Sequence, residues 1–169
     1  RKYLYMNLSR GTGFVELYIK PGQLAAYDWD VLAEGLQWAD EVFPCFGRVR
    51  MHGGNPQAGE VYGYTAWQAE QGYVSVHNPT DEARTYTVRL DREFGLLPGG
   101  GMFHVSSPLE GSARGLPEVV YGGNTLELAL EPREVRVINL SVQPKEWPAL
   151  KLLRARTAGD YKPEPPPKA

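Results

Sequence analysis

The chain reads as mainly β: an antiparallel β-sandwich preceded by a strand–helix unit. Three observations carry that reading. From Val61 onward apolar residues recur at every second position, as in Tyr86, Val88 and Leu90 or Leu126, Leu128 and Leu130, the period of a strand with one face buried and one wet. Turn-forming clusters, Asn78-Pro79-Thr80-Asp81, Leu97-Pro98-Gly99-Gly100 and Gly122-Gly123-Asn124, cut those runs into short pieces, as a sandwich requires. Before Val61, one stretch, Asp28 to Asp40, repeats at clear helical spacing.

Taken in order, Lys2 to Leu8 alternates loosely, is rich in Tyr and Leu, and is predicted as a strand. Ser9-Arg10-Gly11-Thr12-Gly13 breaks it. In Phe14 to Lys20 the residues Phe14, Leu17 and Tyr18 also fall at i, i+3 and i+4. The link between the two stretches is too short for a parallel crossover. The pair is therefore a hairpin, or a strand followed by a loop and a short helical turn, and the second is preferred. Asp28 to Asp40 is a predicted helix with Asp28 as N-cap and Trp29, Leu32, Leu36, Ala39 and Phe43 on one face, stopped by Pro44. Such a helix needs a partner to cover its apolar stripe.

Gly63 to Trp67 and Tyr73 to His77 flank a short Glu70-Gln71-Gly72 turn and read as a hairpin. Further strands follow around Tyr86–Leu90, Leu126–Leu130 and Val135–Val137. Beyond Ser141 periodicity is lost, and the Pro-rich end reads as a disordered tail with polyproline character.

At 169 residues and 42% hydrophobic content the chain can bury a core, and a net charge of −2 gives no reason to expect nucleic acid or an anionic membrane. No apolar run is long enough to span a bilayer. Cys45 is alone, which excludes an internal disulfide and reads as a buried structural thiol. His52, His77 and His104 are scattered without metal-ligand spacing, and no phosphate loop or nucleotide fingerprint occurs, so no metal and no cofactor is expected. A start at Arg1, with no secretion signal, reads as a truncation point.

The succession Tyr5-Met-Asn-Leu-Ser-Arg-Gly-Thr-Gly-Phe-Val-Glu-Leu-Tyr18, a helix holding Trp29, Leu32-Ala-Glu34 and Trp38-Ala39, then Gly53-Gly54-Asn55-Pro56, Gly59-Glu60-Val-Tyr-Gly63 and Asn78-Pro79 resembles the C-terminal end of α-galactosidase-like glycoside hydrolases. These form the large bacterial group often labelled "enterotoxin". The likeness covers about Tyr3 to Ser141. It implies a catalytic (β/α)8 barrel followed by an antiparallel sandwich. Residues 1–45 would then be the C-terminal remnant of the barrel, 46–142 the sandwich and 143–169 a linker and tail. Glycoside hydrolysis needs two carboxylates flanking the scissile bond. The resemblance puts both aspartates on earlier strands, outside this chain, and makes an upstream barrel domain of the same protein its partner, with α-linked galactosides or related glycans as substrate class.

Barrel active sites lie at the C-terminal ends of strands, so if Lys2–Leu8 is a barrel strand, Asn7, Ser9, Arg10 and Thr12 stand nearest that face. Their amide, hydroxyl and guanidinium groups suit sugar hydroxyls, although the same residues also suit a plain Gly-rich turn. Tyr62, Tyr64, Trp67 and Tyr73 are an alternative aromatic platform, with Trp67 its candidate sugar contact, or else core packing. Asn7, Ser9, Arg10 and Trp67 are therefore the expected substrate-binding residues, and no catalytic residue is expected. A stand-alone carbohydrate-binding module and a structural interaction domain are the alternatives.

Overall fold

The computed structural model describes residues 1–68, 70–95 and 101–147. Within them two helices, α1 (Lys2–Leu8) and α2 (Ala26–Val42), precede eight strands. These are β1 (Arg50–Gly53), β2 (Tyr62–Gln68), β3 (Gln71–His77), β4 (Arg84–Arg89), β5 (Met102–Ser106), β6 (Val119–Tyr121), β7 (Thr125–Leu130) and β8 (Val135–Ser141). An antiparallel six-stranded sheet runs β1-β2-β3-β8-β5-β6, and β4 pairs with β7 in a separate ribbon. The chain is a mainly β sandwich, with the helices stacked on the outer face of the large sheet.

That third layer explains the central strands. On β3, Val74 and Val76 point into the core shared with the ribbon, beside Ile138 and Leu140 of β8 and Leu126, Leu128 and Leu130 of β7. Their neighbours Tyr73, Val135 and Val137 turn the other way, into the core shared with Tyr5, Leu8, Trp38 and Val42 of the helices. Successive side chains alternate across a strand, so a strand covered on both faces is buried throughout, as β8 is. The predicted hairpin is present, with Trp67 opposite Gly72 and Tyr62 opposite His77. The predicted Asn78-Pro79 turn is closed by the Asn78 Oδ1 atom, which accepts the Thr80 N–H at 3.1 Å.

Lys2–Leu8 is a helix, not the expected strand. Over seven residues the two periods are hard to separate, and packing decides. Leu4 and Leu8, one turn apart, close over Gly35 of α2, where a Cβ would lie 2.9 Å from Leu4 Cδ2 and 3.0 Å from Leu8 Cδ1. Phe14–Lys20 is irregular, and the short helical turn lies after it, at Pro21–Gln23.

The helix predicted at Asp28–Asp40 is present but longer, and Asp28 is not its cap. Ala25 caps the helix, and the Asp28 carboxylate, three residues on, accepts the Ala25 N–H at 2.9 Å. The buried face is also different. Val31, Gly35, Trp38 and Val42 face the protein, while Trp29, Leu36 and Phe43 remain 44%, 40% and 55% exposed. The two stripes lie roughly 130° apart at 3.6 residues per turn. Trp38 anchors the buried one, donating its indole N–H to Asn139 Oδ1 of β8 at 3.0 Å.

Within the segment expected to be linker, two residues are anchored to the fold: Trp147 is buried and donates to Ser106 Oγ, and Lys145 reaches Glu41 of α2 at 2.6 Å. The Leu97-Pro98-Gly99-Gly100 turn and the Pro-rich tail lie outside the described residues.

Candidate functional site

Where α1 ends, the chain turns sharply and is fixed to the large sheet. Ser9 Oγ donates to Met6 O at 2.8 Å and lies 2.7 Å from Ser75 Oγ, and the Tyr73 hydroxyl donates to Ser9 O at 2.8 Å. Gly11 follows at φ 67°, and a Cβ there would stand 2.2 Å from Val49 Cγ2. A left-handed backbone in that space admits only glycine. The turn and the extended chain after it enclose a cleft of about 170 Å³ lined by Asn7, Arg10, Thr12, Phe14, Val15 and Glu16.

Of the four expected contacts, Asn7 and Arg10 share this cleft with Thr12, while Ser9 and Trp67 do not. Ser9 is fully buried, and its hydroxyl is used up in holding the turn. Trp67 lies between the two sheets with its ring 4.6 Å from that of Phe103, edge to face. It offers no face to a sugar, which corrects the expectation of a Trp67 platform. Tyr73 is likewise buried, and burial pushes its hydroxyl pKa upward. Phe14, which the sequence reading passed over as a ligand contact, lines the cleft and is 78% exposed. The available signal was an aromatic residue next to a double glycine turn, where no neighbouring element could cover it.

A larger cleft of about 620 Å³ lies at the far end of the sheet, lined by Pro44, Gln68, Glu70, Gln71, Ser141, Gln143, Pro144 and Lys145. Its polar groups largely satisfy one another. Gln71 Nε2 donates to Glu41 O at 2.9 Å, Lys145 Nζ reaches Gln71 Oε1 at 3.4 Å, and Ser141 Oγ donates to Gln143 O at 2.6 Å. The smaller cleft is lined by one carboxylate, Glu16, and the larger by one, Glu70. Neither lining therefore presents the flanking pair that glycoside hydrolysis uses.

The buried charges have structural partners. Glu34 of α2 pairs with the Arg1 guanidinium; burial raises its pKa, against the opposing pull of Arg1. His52 and His77 each meet a tyrosine hydroxyl through Nδ1, Tyr86 at 2.9 Å and Tyr62 at 3.2 Å. Burial lowers both imidazoles, His52 to about 4. Burial pushes the Cys45 thiol up to about 11, so it is protonated and unreactive near neutrality. No group of three metal-ligating side chains occurs among the described residues.

No protein-family model matches the chain, and no curated protein matches it. Among solved structures it is similar to a putative α-N-acetylgalactosaminidase from Bacillus halodurans, at 16% identity over 50% of this chain and 18% of that one, with a TM-score of 0.38. It is similar also to an Anoxybacillus α-amylase, at 13% identity over 69% of this chain and 23% of that one, TM-score 0.42. A third is the trehalulose synthase of Pseudomonas mesoacidophila, at 23% identity over 67% of this chain and 18% of that one, TM-score 0.39. The chain thus spans less than a quarter of the length of each structure.

Proposed function

We propose that this chain is the C-terminal accessory part of a carbohydrate-active glycoside hydrolase of α-galactosidase-like kind, with its catalytic aspartates on an upstream barrel domain of the same protein. On this reading residues 1–45 complete the barrel, residues 46–142 brace it, and the substrates are α-linked galactosides or related glycans. The observation that carries the proposal is the second apolar stripe of α2. A helix apolar on two sides is normally covered on both, yet Trp29, Leu36 and Phe43 face outward. Tyr18 and Ile19, in the segment leading to that helix, are exposed as well. Exposed large apolar side chains are what a docking surface for another domain requires, and these support that reading. The motif order from Tyr5 to Pro79 supports the same family and, with it, the nature of what docks.

The test is activity on an aryl α-galactoside, measured for this chain alone and for the product of the reading frame extended upstream. The proposal predicts no turnover by the chain alone and turnover by the longer protein. Hydrolysis by this chain alone, or an upstream sequence without paired strand-end aspartates, overturns it.

A further inference from the structure

We propose that the cleft between the end of α1 and the Thr12–Glu16 segment binds a single neutral sugar ring. Its polar side chains are free to bind. Asn7, Arg10, Thr12 and Glu16 are all exposed, and none makes a side-chain hydrogen bond or ion pair among the described residues. The larger cleft is different, because its glutamine, serine and lysine groups already hold one another.

The complement fits a polyhydroxyl ligand. A guanidinium offers donors only, a carboxylate accepts only, and an amide and a hydroxyl do both. A sugar hydroxyl is donor and acceptor at once, so it can pair with Arg10 or with Glu16, whose opposite charges cancel and give an anion no net advantage. The exposed Phe14 ring supplies the apolar face that the C–H side of a sugar ring requires. The turn beside it is already fixed: Ser9 is bonded to Tyr73 and Ser75 of β3, and Gly11 leaves no room for a Cβ beside Val49, so less ordering is lost on binding there.

The size sets the ligand. Drug-sized ligands occupy pockets of about 300–1,000 Å³, and at about 170 Å³ this cleft takes one ring of a glycan rather than a chain of them. The saccharide class rests on the carbohydrate reading given above; the cleft and its unpaired groups do not.

The experiment is an amide-resolved NMR titration of the full chain with methyl α-galactoside, methyl α-glucoside and inorganic phosphate as separate probes. A ligand of a dozen heavy atoms in an open cleft is expected to bind with a Kd on the order of 1 mM. Shifts should saturate, stay within Asn7–Glu16, and arise with a sugar but not with phosphate. Arg10→Ala and Glu16→Ala should each weaken binding about tenfold or more, and Thr12→Val less. All three residues are exposed, so the spectra of β3 and β8 should be unchanged. No saturable shift with either sugar, sugar binding indifferent to both Arg10→Ala and Glu16→Ala, or a response to phosphate alone would each overturn the proposal. None of these outcomes touches the docking of α2, which is read from Trp29.

Discussion

Arg136 is the most exacting place to perturb the sandwich. It is 1% exposed, and among the described residues no carboxylate bonds its guanidinium, which donates instead to three backbone carbonyls. Nε reaches Ser112 O at 2.7 Å, Nη2 reaches Arg114 O at 2.7 Å, and Nη1 reaches Ala129 O at 3.1 Å. One side chain of β8 thus fastens the 107–116 connection to β7. Glu134 is near but is held by Arg114, with contacts of 2.5 and 2.6 Å. Burial is the main influence on Arg136 and lowers its pKa. Arg136→Met keeps most of the volume and removes all three bonds.

The magnitude follows from which carbonyls can rehydrate. Arg114 and Ala129 lie at exposed positions and can regain water, whereas Ser112 is buried. One orphaned buried acceptor costs about 1–3 kcal/mol, and relief of the guanidinium's desolvation offsets part of that. A net loss of about 1–2 kcal/mol is expected in urea unfolding with the m-value unchanged. Amide exchange in residues 109–116 should accelerate more than in β3. A variant as stable as the parent, or more stable, with residues 109–116 still protected, would refute the claim that Arg136 holds this connection.

Three further outcomes follow from the packing. Trp38→Phe removes the donor to Asn139 Oδ1 and leaves a buried acceptor, so unfolding measurements should show a loss of about 1–3 kcal/mol; an unchanged midpoint would deny that this bond joins helix to sheet. His52 has its pKa lowered by burial to about 4, below the unfolded value near 6.5. The full stability is therefore present above about pH 6.5 and is lost as pH falls toward 4, by on the order of 3 kcal/mol. His77 adds to the loss in the same direction, and His52→Leu should flatten the slope; a parent profile level from pH 7 to 4.5 would contradict this. Cys45, fully buried with its thiol raised to about 11, should react with a disulfide reagent at neutral pH only in denaturant; rapid labelling of the native chain would contradict its placement.

How much was legible in the sequence depended on length and on what covered each face. β2, β3, β4 and β7 were readable because alternation and turn residues bounded them. β1 and β6 are short edge strands of four and three residues, and β5 has five; so few positions give period two little to register. The alternation around Val135–Val137 predicts a half-buried strand, yet helices on one side and the ribbon on the other bury all of β8. The existence of α2 is plain in the sequence, but two apolar stripes on one helix cannot be ranked without knowing its neighbours, and the predicted stripe is exposed at Trp29, Leu36 and Phe43 while Ala39 is buried. For the site, Asn7 and Arg10 do line one cleft, but at the end of a helix rather than of the expected strand, and the loss of Ser9 to the turn and of Trp67 to the inter-sheet core depends on contacts across the fold.

The direct test of the docking surface uses Trp29. The chain has four tryptophans, of which Trp38, Trp67 and Trp147 are buried and Trp29 is 44% exposed. Iodide should therefore quench one component of the fluorescence of this chain, and Trp29→Phe should abolish that component. Expressed together with the upstream domain proposed above, the protein should lose that component if α2 is the docking surface; quenching of Trp29 to the same extent in the longer protein would contradict the proposal.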